Sequence, residues 1–323
     1  MSAEAKKSIF IGIDTSCYTS SATCVCVDGI IRDGRRMLDV PAGERGLRQS
    51  DAVFQHTRNL TELVPQMLET IEPDSVAAIG VSVCPSGREN SYMPVFLVGK
   101  LVAETLGASL RAPVYGFTHQ QGHIRAALHK NEDLLSKPFL AFHLSGGTSE
   151  LLSVDHALNA ERIGGSTDIN AGQLVDRIGV KLGLGFPAGK ALERLARDAS
   201  ARGVLLKSSV KGLEFSLSGA ETRALQAIEA GDSAESIAFS VYDVIARTLA
   251  KVVKNAAESD KYAFWPFVFA GGVASSELLR GLLLSRIDAE KTCIRFAQPA
   301  LSSDNAVGVA YLAMDRYLNR FSK

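Results

Sequence analysis

No stretch of this chain approaches 18 consecutive apolar residues, so no segment is expected to cross a membrane as a helix. The start, Met1 to Lys7, is polar. The apolar run behind it, Ile9 to Ile13, is too short for a signal sequence and stops at Asp14. Cysteine is scarce and odd in number: Cys17, Cys24, Cys26, Cys84 and Cys293, with no C-x-x-C pair. Buried, reduced thiols in a cytoplasmic protein are the expectation. Net charge is missing too. Thirty-five basic and thirty-five acidic residues cancel, which removes any global pull toward nucleic acid and leaves only a local basic patch open. The chain has no G-x-x-x-x-G-K-[ST] and no G-x-G-x-x-G, which disfavours P-loop and Rossmann nucleotide sites. With 28 Gly and 10 Pro it is neither collagen-like nor of low complexity.

What is present is an ordinary globular composition, 46% hydrophobic and 22% charged, over 323 residues. At about 150 residues per domain, that length predicts two domains with sizeable cores. The chain opens with a buried-strand run, Ser8 to Asp14, then a small-residue loop to Ser20, then a second β-rich run, Ser21 to Val27. Asp28-Gly29 signals a hairpin, and Ile30 and Ile31 begin a third strand. Asp51 to Glu72 reads as a helix from the spacing of Val53, Leu60, Leu63, Val64 and Met67. Strands follow at Ala77 to Val83 and Val114 to Phe117, with an apolar helix, Pro94 to Leu106, between them. The middle of the chain repeats the opening: strand Phe139 to Leu144, polar loop Ser145 to Ser149, strand Glu150 to Val154. Helices are expected at Leu174 to Leu182, Gly189 to Ala199, Ala234 to Ala257, Ser275 to Leu284 and Ser303 to Asn319, with a strand at Pro266 to Ala270. The last helix is expected to return to the first lobe. The alternation predicts an α/β fold of two related lobes, residues 1–136 plus about 295–323 and residues 137–294.

Three loops are made for close backbone approach. Asp14-Thr15-Ser16 offers a carboxylate and hydroxyls at a strand end. Ser145-Gly146-Gly147-Thr148 can aim N–H groups at an anion without Cβ obstruction. Gly271-Gly272 leads from a strand into a helix whose N-terminus favours negative charge. Hairpin phosphate loops on two lobes are similar to the actin/Hsp70/sugar-kinase architecture, with nucleotide in the cleft between the lobes. His119 and His123 stand at i and i+4, which on a helix puts two imidazoles on one face, about 5–6 Å apart at Cβ. Neutral imidazoles so placed can share a metal ion. Asp304 is the candidate third ligand; its alternative role is to cap the last helix. Gln120 stands where H-E-x-x-H needs glutamate, which rules out a zinc peptidase.

Taken together, the loops and the histidine pair resemble the tRNA threonylcarbamoyladenosine transferases, a family also called glycoprotease-like. Its I-E-T-S-C-D-E-T opening reads Ile13 to Ser20 here, and H-x-E-G/A-H reads His119 to His123. S-G-G-H-T corresponds to Ser145 to Ser149, and D-D-A-A-G-E-x-F-D-K to Asp168 to Arg177. L-G-L-x-Y-P-G-G-P corresponds to Leu182 to Lys190, F-S-F-S-G-L-K-T to Phe215 to Thr222, G-G-V-A-A-N to Gly271 to Ser276, and C-T-D-N-A to Ser302 to Ala306. The matches are collinear and run nearly end to end. The resemblance implies a metal, iron or zinc, on His119, His123 and Asp304. It implies an adenine nucleotide, or threonylcarbamoyl-adenylate itself, lined by Ser145, Gly146, Gly147, Thr148, Asp176, Gly189, Gly271, Gly272 and Ser276, with Asp14, Gln173 and Asp176 as catalytic candidates. It further implies transfer of the threonylcarbamoyl group to the adenosine beside the anticodon of tRNA. The partners it implies are a smaller paralogous dimerisation partner and an ATPase, or a homodimer through the Pro94–Leu106 region.

The departures from the family pattern fall in the site. Gln121 and Gln173 replace glutamates, Thr148 a histidine and Ser276 an asparagine; Tyr18-Thr19 replaces Asp-Glu, and Gly46 to His56 stands in place of G-G-V-V-P-E-x-A-S-R-x-H. If either glutamate acts as a base, its loss costs a factor of ~100 to ~10,000. A divergent transferase and a catalytically altered paralogue with a binding or regulatory role are therefore both open readings, with another kinase or carbamoyl transferase of the same fold as a third. Lys6-Lys7 and Arg32, Arg35 and Arg36 are the basic clusters available to RNA.

Overall fold

The computed structural model describes residues 8–16, 18–40, 47–87, 91–199 and 204–318. Cys17, Lys6-Lys7 and Gly46 lie outside them. Packing divides the chain into two units: Met1–Glu132 with His156–Ala160 and Ser303–Lys323, and Asp133–Asp155 with Glu161–Ser302.

The first unit is built on a five-stranded sheet of β1 (Ile9–Ser16), β2 (Thr19–Cys26), β3 (Gly29–Met37), β4 (Val76–Cys84) and β5 (Val114–Thr118), in the order β3-β2-β1-β4-β5. β1, β2 and β3 form an antiparallel meander, and β4 and β5 add in parallel. Seven of the eight residues of β1 are buried because both faces of the sheet are covered. On one face lie α1 (Gln49–Leu68) and α2 (Phe96–Leu110), through Leu60, Leu63, Met67 and Ala103. On the other lies α9 (Val307–Tyr317). It comes so close that a Cβ on Gly12 would stand 2.2 Å from the Ala306 carbonyl oxygen, and one on Gly80 2.0 Å from that of Val309. The short α3 (His119–Ala127) follows β5 and packs on α9.

The second unit holds β6 (Phe139–Leu144), β7 (Ser149–Val154), β8 (Ala160–Ser166), β9 (Ser209–Lys211), β10 (Glu214–Ser216), β11 (Phe267–Ala270) and β12 (Ile294–Phe296), in the order β12-β11-β6-β7-β8-β10-β9. Its run β8-β7-β6-β11-β12 has the strand order of the first sheet, so the repeat read from the loops extends to topology. Its helices are α4 (Ala171–Lys181), α5 (Gly189–Arg197), α6 (Ser218–Glu229), α7 (Ala234–Ala257) and α8 (Glu277–Leu284). The core joins Leu140, Phe142 and Phe269 to the buried stripe of α7, with Phe142 and Phe269 stacked at 4.7 Å.

Several boundaries differ from the sequence reading. α1 ends at Leu68 rather than Glu72, because Pro73 forces Glu72 into an extended conformation (φ −68°, ψ 124°). The last helix starts at Val307, not Ser303. The amide of Ala306 donates to Ser21 Oγ and that of Val307 to Asn305 Oδ1, so 303–306 is held as a bend and Asn305, not Asp304, serves the first turn. Cys24 is buried and unbridged as expected, whereas Cys293 is exposed, since it precedes the short edge strand β12. Among the described residues no helix is long and apolar enough to cross a membrane.

Candidate functional site

Two local structures in the first unit bring its histidines and Asp304 together. Thr118 ends β5 in an extended conformation and caps α3: its Oγ1 accepts from the Gln121 amide (3.0 Å), while Gln121 Oε1 accepts from the Thr118 amide (3.0 Å). That fixes His119 as the first helical residue and His123 one turn on. α3 then crosses α9 at paired glycines; a Cβ on Gly308 would stand 1.8 Å from the Gly122 carbonyl oxygen. Below the crossing, Arg125 Nε donates to Asp315 Oδ2 (2.6 Å), with both side chains buried and the guanidinium over the Tyr311 ring. Ahead of α9, Arg35 Nη1 donates to Ser303 Oγ (3.1 Å). The bend so anchored presents Asp304 to the two imidazoles.

His119 Nε2 and His123 Nε2 are 2.9 Å apart, and Asp304 Oδ1 lies 3.2 Å from His123 Nε2 and 3.6 Å from His119 Nε2. Behind them, Asp14 Oδ2 holds His119 Nδ1 at 2.8 Å. Asp14 is 1% exposed and also accepts from Ser82 Oγ and the Ser16 amide. Burial would lower the His119 pKa; Asp14 and then Asp304 outweigh it and push it up to about 10. Burial would raise Asp304, yet hydrogen bonds and charges from His119 and His123 hold it well below the usual carboxylate range, and Asp14 is lowered in the same way, chiefly by His119.

This donor set suits one small divalent ion. Ligand atoms about 2.1 Å from an ion, at tetrahedral or octahedral angles, lie roughly 2.9–3.4 Å from one another, close to the observed triangle. Among the described residues these three form the cluster able to hold a metal ion. Two nitrogens and one oxygen suit zinc or iron. The Asp14–His119 bond is the outer carboxylate that usually orients a metal-bound histidine.

In the second unit, the Ser145–Thr148 and Gly271–Ser276 loops follow the carboxyl ends of β6 and β11, while Asp176 lies in α4 and Gly189 begins α5. Ser145 and Thr148 close a turn, Ser145 amide to Thr148 carbonyl (2.7 Å) and Thr148 amide to Ser145 Oγ (3.1 Å), that leaves Gly146 and Gly147 exposed. The first turn of α4 packs on it: the Gly172 amide donates to the Ser145 carbonyl, and a Cβ on Gly172 would meet Gly146 at 2.6 Å. Gly271, at φ +99°, lets the β11–α8 loop touch Leu144, whose carbonyl accepts from the Val273 amide. Gly272 is exposed beside it. Ser276 is 7% exposed, and its Oγ accepts from the Leu279 amide as the N-cap of α8. Asp176 Oδ1 accepts from the Ala188 amide (2.8 Å), and Tyr242 donates to the Gly189 carbonyl (2.9 Å), which ties down the turn before α5. Gln173 Oε1 accepts from the Asn170 amide (2.9 Å) in a second capping box.

Three residues the sequence reading passed over are built into these sites. Ser82 supports Asp14. Glu193 Oε1 sits at the N-terminus of α8, accepting from the Leu278 amide. Asp168, quoted only as part of a motif, is held well below the usual carboxylate range; burial opposes this, but the Leu217 amide and the Ser216 and Ser218 hydroxyls prevail. Only the position of Ser82 near the end of a buried strand, and the i+4 step from Gly189 to Glu193, signalled the first two. Thr15, expected to face an anion, is buried and binds the Val95 carbonyl and the Gly99 amide of α2 instead. The expected basic cluster is neutralised: Arg32 pairs with Glu69, Arg35 with Asp33, and Arg36 with Glu62.

The tRNA N6-adenosine threonylcarbamoyltransferase family model matches residues 42–311. A protein of that name from Thermus thermophilus is 29% identical, aligned over 96% of this chain and 94% of its own length, and one from Prochlorococcus marinus is 28% identical over 96% and 90%. Among solved structures, the activator of 2-hydroxyisocaproyl-CoA dehydratase from Clostridium difficile superposes with a TM-score of 0.55 at 14% identity, covering 97% of this chain and 96% of that one. A glucokinase of the ROK family from Streptomyces griseus gives 0.53 at 14% identity, covering 95% and 99%. These two likenesses establish the actin/Hsp70/sugar-kinase type of fold. Since the family model spans most of the sequence, the chain belongs to the tRNA N6-adenosine threonylcarbamoyltransferase family.

Proposed function

We propose that this chain transfers the threonylcarbamoyl group of threonylcarbamoyl-adenylate to the N6 amine of the adenosine beside the anticodon of tRNA in the cytoplasm, with one divalent metal, iron or zinc, held by His119, His123 and Asp304. The observation that carries the reading is the triangle of His119 Nε2, His123 Nε2 and Asp304 Oδ1 backed by the buried Asp14. Bound there, the ion supplies positive charge that polarises a carbonyl or offsets phosphate charge. The rest is the chain's own work. Asp14 accepts the Nδ1 proton of His119 and so keeps Nε2 directed at the ion. The exposed glycines of the 145–148 turn give an anion room to approach the backbone, and the 271–276 loop and Gly189 line the nucleotide beside them.

The amides at 121 and 173 do not weaken this reading. In both capping boxes the oxygen Oε1 does what a glutamate oxygen would do, and the side chain is engaged at a helix start. The altered paralogue is the second reading on the strength of Thr148, where a hydroxyl stands in place of an imidazole. The smaller paralogue and the ATPase, or a second copy of the chain, remain proposed partners; Leu97 and Leu101, 52% and 69% exposed on α2, offer a face for one of them. The test is expression in a strain lacking the transferase, followed by digestion of its tRNA and mass spectrometry of the nucleosides. Threonylcarbamoyladenosine is expected with the wild-type chain and not with H119A/H123A. Its absence with soluble, metal-loaded wild type would overturn the proposal.

A further inference from the structure

The charge of this chain sums to zero, but it is not evenly spread. Between Asp176 and Asp198 the chain carries five cations, Arg177, Lys181, Lys190, Arg194 and Arg197, and one carboxylate, Glu193. Arg177 is paired with Glu221, and Arg197 with Glu193 and Glu277. Lys181, Lys190 and Arg194 are exposed, and their side chains make no ion pair or hydrogen bond among the described residues. Lys181 is the last residue of α4. Lys190 and Arg194 stand one turn apart on α5, on the side away from its buried Leu192 and Ala196.

Between them the α4–α5 turn carries Phe186, 79% exposed. A single exposed aromatic is ordinary; the way this one is presented is not. Its turn is fixed by bonds from the Gly183 amide to the Val180 carbonyl (3.0 Å), from the Leu184 amide to the Gly179 carbonyl (2.9 Å) and from the Ala188 amide to Asp176 Oδ1 (2.8 Å). The ring takes no part in those bonds and faces water. A preordered aromatic flanked by unpaired cations matches what unpaired bases on a phosphate backbone require: a face to stack on and charges to follow the chain.

We infer that the α4–α5 surface docks unpaired nucleotides of the RNA substrate, with Phe186 stacking on a base and Lys181, Lys190 and Arg194 contacting phosphates. This rests on the tRNA reading above for the identity of the RNA. Phe186 stands three residues before Gly189 and Lys190 directly after it, so docked RNA would lie beside the proposed nucleotide residues of the same unit.

The test is the affinity of the purified full chain for a fluorescently labelled tRNA, followed by anisotropy across a salt series without metal or adenylate. Wild type is expected to bind with a salt-dependent affinity. K181Q/K190Q/R194Q is expected to bind more weakly and to flatten the logarithmic salt slope by about 2–3. F186A is expected to weaken binding about 5- to 100-fold with the slope retained, as loss of one stacked base predicts. All four positions are at the surface, so the melting temperature should stay at the wild-type value. No binding by wild type, or binding by the variants equal to wild type, overturns the inference. Transfer activity is read separately. If wild type modifies tRNA while the variants keep its tRNA KM, the surface is wrong and the transferase stands; if RNA binds as described but no nucleoside is modified, the transferase reading fails instead.

Discussion

Asp14 shows how one side chain governs a site it does not itself line. It is buried among Ser82, the Ser16 amide and His119, and its charge persists there because every partner donates to it. D14N keeps the shape, removes the charge and lets His119 turn. It should weaken metal affinity about 10- to 100-fold, measured by chelator competition, with native circular dichroism. Affinity equal to wild type would mean that Asp14 only fills space. Gln173 carries a different expectation. As the N3 residue of a capping box it can be Glu with little consequence for stability, whereas Q173A should cost about 1 kcal/mol in urea unfolding. Both roles were half legible beforehand. Glu-to-Gln at a site position reads as a lost base in a string of letters, and only the Asn170 amide at 2.9 Å shows that an oxygen, and not its charge, is what the helix start uses.

The convergence of His119, His123 and Asp304 is a property of two helices. Their separation in sequence hid it, although the His pair itself was plain from its i, i+4 spacing. α3 and α9 meet at Gly122 and Gly308 with no room for a methyl group, and Arg125 and Asp315 lock them further along. Leaving one member of that buried pair unpartnered is costly, so R125M should destabilise the chain by about 3–5 kcal/mol. R125M/D315L, which removes both charges, should recover most of it in the same denaturant titration. If the double variant is no better than the single, the pair is not the lock described here. The opening of the final helix was misread for a related reason: Asp, Asn and Ser all qualify as caps by composition, and only the bond from the Val307 amide to Asn305 frees Asp304 for the histidines.

Across the molecule, the repeat was legible because an apolar strand, a Gly/Ser/Thr loop and a second strand recur in both halves, whereas the sheet order was not. Strands β8, β9, β10 and β12 and helix α6 were not read either, since β8 has few apolar residues, three residues carry no periodicity and the α6 segment lacks a strong apolar stripe. Nor did the sequence announce the polar interior of the first unit. His56 is fully buried on α1, its Nδ1 2.8 Å from Ser20 Oγ and its Nε2 without a partner among the described residues. Burial, partly offset by Asp14, lowers its pKa from 6.5 to about 4. Between those values the unfolded chain binds a proton that the folded chain refuses. The His56 contribution to stability is therefore intact above about pH 6.5 and is lost as pH falls toward 4, by up to about 3 kcal/mol. H56N should flatten that part of the pH–stability curve relative to wild type; an unchanged slope would show that His56 is already charged in the fold. The reading as a whole turns on the metal centre, and X-ray absorption of the metal-loaded chain addresses it directly. One ion per chain with two imidazole nitrogens and carboxylate oxygen at about 2.0–2.2 Å, lost in H123A, is the predicted result. No stoichiometric ion, or a ligand shell without imidazole, would contradict it.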